Sequence, residues 1–127
     1  MAELRMGFIG AGFLAKFQAL AMSQVRGLTL SGVTALKGAP ELAAWANAEG
    51  IGPCKVHPDI ASLCGDCDVV AIFAPNFARI EVMNQIALAV ENGARLKGLV
   101  CEKPLGRTVA EAEALVAKAA EARLPTA

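Results

Sequence analysis

Short apolar runs alternate with longer segments of helical period along the whole chain, and this alternation limits the possible fold more than any other feature. Five runs have the length and composition of β-strands: residues 5–9, 28–35, 54–56, 68–73 and 96–101. The pattern predicts βαβ units, and hence an α/β fold in which a doubly wound parallel sheet carries helices on both faces. A chain of 127 residues accommodates one such domain and no second domain of ordinary size.

Helix signals fill the segments between the first runs. After the first strand, apolar side chains recur at helical spacing at Leu14, Phe17, Ala21 and Val25. A second helix is expected over residues 39–49, since Pro40 suits a first helical position and Gly50 a helix end.

The later connections carry their own start and stop signals. We expect His57 to cap a brief helical turn toward Leu63 and Asn76 to cap the helix after the fourth strand. Thr108 and Glu111 have the spacing of a capping box for a last helix. Residues 124–127 resemble the approach to a sixth strand, so the sheet is expected to have about five.

Charge and apolar content exclude several classes of partner. Twelve basic residues balance twelve acidic ones without any basic run, which disfavours nucleic acid and membrane surfaces as partners. The apolar runs are too short for a membrane-spanning helix, and the first residues lack a secretory signal, so we expect a soluble cytoplasmic protein. The four cysteines are sparse, and we expect no disulfide framework.

A glycine turn follows the first strand directly. Gly10-Ala11-Gly12-Phe13-Leu14-Ala15 fits the pattern G-x-G-x-x-G/A, in which the first glycine makes the turn and the second lets the backbone approach a pyrophosphate. The third small residue lets helix and strand pack closely, and the anion lies at the helix N-terminus. The turn predicts dinucleotide binding, although glycines also occur in such turns for backbone geometry alone.

The usual acidic partner of such a turn is missing. In NAD-binding proteins a carboxylate about 20 positions on takes the ribose hydroxyls, but Ala35 stands there and no Asp or Glu occurs between Glu3 and Glu41. Lys37 is placed to meet a ribose 2′-phosphate, which favours NADP slightly over NAD. A solvated loop lysine is the equally weighted alternative.

Three features together resemble the Gfo/Idh/MocA family of oxidoreductases over essentially the whole chain. These are the glycine turn, Ala74-Pro75-Asn76 after the fourth strand, and Glu102-Lys103-Pro104 after the fifth. All three lie at carboxyl ends of predicted parallel strands, where open α/β sheets bind their ligands. The resemblance therefore implies a Rossmann domain that binds a nicotinamide cofactor.

The resemblance also implies roles for individual residues. The loop at Ala74, Pro75 and Asn76 would pass along the cofactor, Glu102 would contact the nicotinamide-side ribose, and Lys103 would reach the reacting carbon of a sugar- or polyol-type alcohol. The Lys103–Pro104 bond is commonly cis in this family, and the alternative is a trans turn with Lys103 in solvent.

One position departs from the family pattern. Where a histidine is common after the Pro-Asn element, this chain has Arg79, a fixed charge that does not shuttle protons near neutrality. Arg79 is a candidate for binding an anion of cofactor or substrate, and a solvated helix arginine is the alternative.

Other classes of function receive less support from the sequence. A redox or zinc role for Cys64-Gly65-Asp66-Cys67 is disfavoured because the motif precedes a strand instead of opening a helix after one. The single histidine disfavours hydrolytic triads and histidine-rich metal sites. A non-catalytic NAD(P)-binding sensor module stays open as an alternative, because fold does not fix function.

The resemblance implies that a second, α+β domain completes the substrate pocket and forms oligomers in this family. The 127 residues contain no such domain, so we expect a dinucleotide-binding domain that binds cofactor but turns over substrate poorly. An uncovered apolar surface near the strand ends would favour association between copies of the chain.

Overall fold

A single parallel sheet forms the centre of the molecule. The computed structural model describes residues 3–127, so Met1 and Ala2, part of the segment in which we found no secretory signal, lie outside it. The strands are β1 (Leu4–Ile9), β2 (Leu28–Thr34), β3 (Lys55–Val56), β4 (Val69–Ile72) and β5 (Gly98–Cys101). All neighbours pair in parallel in the order β3-β2-β1-β4-β5, which confirms the doubly wound sheet.

Helices cover both faces of this sheet, as predicted. They are α1 (Phe13–Met22), α2 (Ala39–Ala48), α3 (Ile60–Asp66), α4 (Arg79–Glu91) and α5 (Val109–Glu121), with a 3₁₀ turn at Asn76–Ala78. Ala71 of β4 packs in the hydrophobic cluster beneath α1 and α2, whereas its neighbours Val70 and Ile72 pack in the cluster beneath α3, α4 and α5. The alternation of side chains along a strand thus divides the core into two layers.

Large side chains at the centre of each layer are completely buried. Phe8 and Leu30 lie on the α1–α2 side, and Leu63, Met83 and Ile86 lie on the other. Burying each such side chain contributes about 1.5–3 kcal/mol relative to leaving it in water. The sheet is held mainly by these two layers.

The buried face of α1 is formed by small residues and a methionine. Ala15, Ala19 and Met22 face the sheet, while Phe17 is exposed. Spacing alone does not select the buried side, because α1 is apolar around most of its circumference. Alanines at the contact let the helix lie close to the sheet.

Two expected helix caps are also different. Asp59, not His57, caps α3, since its carboxylate accepts a hydrogen bond of 2.8 Å from the Ser62 backbone N–H. The helix then continues to Asp66, beyond the brief turn toward Leu63 that was expected. Asn76 does not cap α4, because it begins the 3₁₀ turn that leads into the helix, and its side chain makes no capping bond.

One of the two hydrogen bonds of the predicted capping box of α5 is confirmed. Thr108 accepts a hydrogen bond of 3.1 Å from the Glu111 backbone N–H. The Glu111 carboxylate reaches back one residue further than expected, to the backbone N–H of Arg107 at 2.7 Å. It also forms an ion pair with the Arg107 guanidinium at 2.8 Å.

The last residues pair with the edge of the sheet. Thr126 forms a parallel bridge with Leu99, and backbone hydrogen bonds of 2.9 Å and 3.0 Å join Leu99 to Pro125 and Ala127. This agrees with the predicted approach to a sixth strand. Across residues 3–127, no helix combines the length and apolar character needed to cross a membrane.

Candidate cofactor-binding site

Gly10 makes the turn from β1 toward α1 at a place where only glycine fits. Its φ is +112°, and a Cβ there would lie 2.9 Å from the Ala74 backbone nitrogen. The Gly10 N–H donates to the Thr34 carbonyl at 2.9 Å, at the end of β2. The turn therefore passes between the carboxyl ends of β2 and β4, with no space for a side chain.

Gly12 presents a different environment at the N-terminus of α1. Its φ is −81°, and a Cβ added there would meet no atom within 4 Å. Within residues 3–127 no side chain caps α1, and its first turn holds no acidic residue. Among the described residues the first N–H groups of α1 are thus left for an external acceptor, which suits a diphosphate.

The remaining residues of the motif differ in burial. Ala15 is fully buried, as the close packing of helix on strand requires. Ala11 and Leu14 are half-buried, and the Phe13 ring is 85% exposed beside the turn. The turn offers its backbone and an apolar ring to a ligand.

A cleft of about 320 Å³ adjoins the glycine turn on the side of α2. The Lys16 ammonium lies 4.9 Å from the centre of the Trp45 ring on its wall, and the Glu41 side chain also lines it. No binding role was assigned to Lys16, Glu41 or Trp45 from the sequence. No motif signals this cleft, since it arises from the packing of α1 beside α2.

The loop after β2 holds the position where a ribose carboxylate was expected, and it lines the same cleft at Gly38. Ala35 follows β2 directly and is half-buried, and Lys37 is exposed in the turn that ends at Gly38. Gly38 has φ +88°, and a Cβ added there would lie 3.4 Å from the Ala11 carbonyl oxygen. The loop after β2 therefore lies against the glycine turn.

The loops after β4 and β5 bring the other two motif elements to the same edge of the sheet. Ala74 touches the Gly10 turn, Pro75 is exposed, and Asn76 begins the 3₁₀ turn. The Glu102 N–H donates to the Ile72 carbonyl at 3.2 Å, which extends the pairing of β5 with β4 by one residue.

Lys103 stands at the tip of the second loop. The Glu102 carboxylate accepts a hydrogen bond of 3.1 Å from the Lys103 backbone N–H, and the Lys103 side chain is exposed. The Lys103–Pro104 bond is cis, as the resemblance implied. The three motif elements therefore meet at the carboxyl ends of β1, β4 and β5, the switch point of the sheet.

Arg79 is buried, which contradicts the alternative of a solvated helix arginine. Only 4% of its surface is exposed. Its Nε donates to the Ala74 carbonyl at 2.9 Å, and Nη1 donates to the carbonyls of Glu102 and Pro104. The expected contact with a cofactor or substrate anion stays a prediction, and the bonds that the structure shows all go to backbone.

The cysteines lie away from this edge or in unreactive surroundings. All four are free thiols, and burial raises the pKa of Cys64 to about 11 and that of Cys67 to about 12. Because the thiolate is the reactive form, neither is activated for redox chemistry. Within residues 3–127 no cluster of three or more His, Cys, Asp or Glu side chains is placed to hold a metal ion.

A larger cavity of about 810 Å³ lies at the opposite end of the sheet. Its walls include Arg5, Asp68 and Lys97, which stand at the amino ends of β1, β4 and β5. Ligands of open parallel sheets bind at the carboxyl ends. We therefore place the site at the smaller cleft and the motif loops beside it.

The whole described fold matches one protein family. The family described as "Oxidoreductase family, NAD-binding Rossmann fold" (GFO_IDH_MocA) covers residues 4–126. The chain belongs to this family. Its fold is that of the NAD-binding domain, and no curated protein sequence matches it.

Solved structures show the same domain in longer chains. UDP-N-acetylglucosamine 3-dehydrogenase GnnA from Acidithiobacillus ferrooxidans is 28% identical with a TM-score of 0.77, over 99% of this chain and 38% of its own. A levoglucosan dehydrogenase in complex with NADH and L-sorbose is 27% identical with a TM-score of 0.74, over 99% of this chain and 35% of its own.

A third structure shows the fold alone, at 19% identity and a TM-score of 0.82. It is a putative NADPH-dependent oxidoreductase from Desulfitobacterium hafniense, and the match covers 98% of this chain and 34% of that one. This Gfo/Idh/MocA chain thus spans about a third of the length of the structures it matches.

Proposed function

We propose that this chain is the cofactor-binding domain of a dehydrogenase that transfers hydride between a nicotinamide dinucleotide and a sugar- or polyol-type secondary alcohol. The observation that carries the proposal is the meeting of Gly12, Ala74 and Glu102 with Lys103 at the switch point of the sheet. Family membership and the similarity to two solved sugar dehydrogenases support it. They favour an enzymatic role over a sensor module.

Backbone groups would bind the diphosphate of the cofactor, and side chains would contact the nicotinamide half and the substrate. The free N–H groups of α1 beside Gly12 would hold the diphosphate, and the loop from Ala74 to Asn76 would lie along the cofactor. The bound nicotinamide would supply the hydride acceptor. Glu102 would take the ribose on the nicotinamide side. The exposed ammonium of Lys103 would donate a hydrogen bond to the substrate oxygen and stabilise the negative charge that builds up there as the hydroxyl proton leaves to water.

A finer proposal concerns the choice of cofactor. We infer that the chain accepts NADP as well as NAD, with NADP slightly favoured. Two observations support this: the position after β2 is Ala35, without a carboxylate, and Lys37 is exposed near the cleft. The Glu41 side chain on the cleft wall acts in the opposite direction, because a carboxylate repels a 2′-phosphate.

Calorimetric titration of the 127-residue chain with NADH and with NADPH tests the binding proposal. Gly12→Ala is the decisive variant, because its Cβ causes no clash within the protein yet stands where the diphosphate approaches. We expect this variant to fold normally. Its dissociation constants for NADH and NADPH should both rise at least tenfold, which corresponds to about 1.4 kcal/mol. Binding unchanged in Gly12→Ala, or no heat from the parent chain, would refute the site.

Lys37→Ala tests the cofactor preference. The variant should weaken NADPH binding severalfold and leave NADH binding unchanged, because a solvent-exposed lysine acts on the 2′-phosphate alone. Lys55→Ala is the matched control, since Lys55 is also exposed but lies on the edge strand β3. Tighter NADH than NADPH, with no effect of Lys37→Ala on either, would contradict the preference.

The catalytic role requires a chain that also carries a substrate domain. In such a chain Lys103→Ala should abolish alcohol oxidation and keep NADH binding within about twofold. The 127-residue chain itself is expected to bind cofactor with little or no turnover of any polyol. Turnover by this chain at rates typical of dehydrogenases, about 1–10³ s⁻¹, would contradict that expectation.

A further inference from the structure

Arg79 occupies a position that the stability of its own helix does not explain. It is the first residue of α4, where the positive end of the helix dipole disfavours a cation. Its guanidinium is buried, and burying a charge is costly unless it is well compensated. Within residues 3–127 no carboxylate lies within ion-pair distance of it. The compensation must come from other groups.

Those groups are backbone carbonyls from two separate loops. Ala74 belongs to the loop after β4, whereas Glu102 and Pro104 belong to the loop after β5, on either side of Lys103. The planar guanidinium carries five donors in a fixed arrangement, so one side chain binds both loops at once. Charge-assisted hydrogen bonds of this kind are about twice as strong as neutral ones.

We propose that Arg79 is a positioning residue that locks the loop after β4 to the loop after β5, and so fixes Glu102 and Lys103 relative to the bound cofactor. The effect on cofactor rests on the proposed function, whereas the effect on the two loops follows from the hydrogen bonds alone. Arg79 holds the carbonyls on both sides of Lys103, so the backbone that carries this side chain is fixed at two points.

Hydrogen exchange in the ligand-free chain tests the lock directly. Arg79→Met keeps an unbranched side chain but removes every donor, and should speed exchange in residues 74–78 and 101–105 together. Arg79→Lys keeps the charge with a single head group, and should give a smaller increase in both loops. Arg95→Met is the matched control at an exposed arginine and should change neither loop.

Comparison of two ligands separates positioning from general loosening of the fold. NADH reaches the loops at both ends of the site, whereas ADP lacks the nicotinamide and its ribose. We expect Arg79→Met to weaken the binding of NADH about tenfold and the binding of ADP by less than twofold. Arg79→Lys should restore part of the NADH affinity. Equal loss of both ligands would overturn the proposal, as would unchanged NADH binding in a folded variant.

The hydrogen-exchange and ligand-binding experiments together also distinguish a failure of this inference from a failure of the proposed function. If the parent chain binds neither NADH nor NADPH, the proposed function fails, and hydrogen exchange still decides the lock. Faster exchange in one loop only, or in neither, would overturn the lock even where the cofactor binds. If Arg79→Met does not fold, Arg79→Lys gives the same comparison in milder form.

Discussion

Replacing Gly10 by alanine is expected to destabilise the chain more than the same change at any glycine in open surroundings. Two costs add at this position. A φ of +112° is unfavourable for a residue with a Cβ, at about 1–3 kcal/mol. The Cβ would also approach Ala74 N and Phe73 C at 2.9 Å, and such overpacking costs about 1–3 kcal/mol.

The sum is about 2–6 kcal/mol, a large part of the 5–15 kcal/mol that is typical of whole domains at about this size. Both contact atoms belong to the backbone, so a side-chain rotation does not relieve the clash. With a urea slope of about 2 kcal/mol/M, the midpoint of unfolding should fall by about 1–3 M.

Urea unfolding followed by the fluorescence of Trp45, the one tryptophan of the chain, measures this shift. Gly27→Ala is the matched control, because Gly27 has φ +79° but a Cβ there meets nothing within 4 Å. The control should show the conformational cost alone. If Gly10→Ala is no less stable than Gly27→Ala, the close approach of the glycine turn to the loop after β4 is wrong.

Three further predictions concern stability and reactivity. Thr108→Ala should cost about 1 kcal/mol in urea unfolding through loss of the α5 cap, and an effect no larger than that of the exposed Thr126→Ala would contradict this. The Arg5 backbone N–H and then its guanidinium lower the pKa of Asp68, so this carboxylate stabilises the fold above the unfolded pKa of about 3.9. That stability is lost as the pH falls through the folded pKa, and unfolding of Asp68→Asn should depend less on pH below about 4, where an unchanged dependence would refute the assignment. Cys64, with its pKa raised to about 11, should react with iodoacetamide at pH 8 about 100-fold more slowly than an ordinary thiol, and equally fast native and unfolded labelling would show that it is not buried.

The sequence predicted the sheet well because its signals are local and agree with one another. The apolar runs end at the expected glycine and proline positions, Gly10 makes the expected turn, and Ala15 packs where a small residue was expected. The strand ends were less exact: residues 68–73 were predicted, and β4 is Val69–Ile72. Fraying at strand ends depends on neighbouring strands, which a local pattern does not contain.

The errors occurred where several residues of similar chemistry compete. Asp59 and His57 both precede α3, and the carboxylate takes the cap because its backbone is extended at the correct position. In α1 almost every residue is apolar, so the buried face is chosen by the small size of Ala15 and Ala19. The alternative of a solvated Arg79 was wrong, because sequence spacing does not reveal the carbonyls from two distant loops that bind its guanidinium.

The cleft beside α2 could not be predicted from motifs either. Lys16 and Trp45 are 29 positions apart and meet only because α1 and α2 pack side by side over β2. Contacts of this kind depend on the crossing of two helices and have no signature along the chain. The structure therefore adds to the candidate site the residues that the family pattern does not mention.

The central position of β1 has a consequence for how the molecule divides. β1 pairs with β2 on one side and with β4 on the other. Among the strands of residues 3–127 it alone joins the half made of β2 and β3 to the half made of β4 and β5. Removal of this strand would leave two small open ribbons, each too short to survive in water by itself. β1 therefore holds the two halves of the sheet together. Cleavage after Ile9 and loss of the strand would divide the sheet at its centre instead of removing an edge strand.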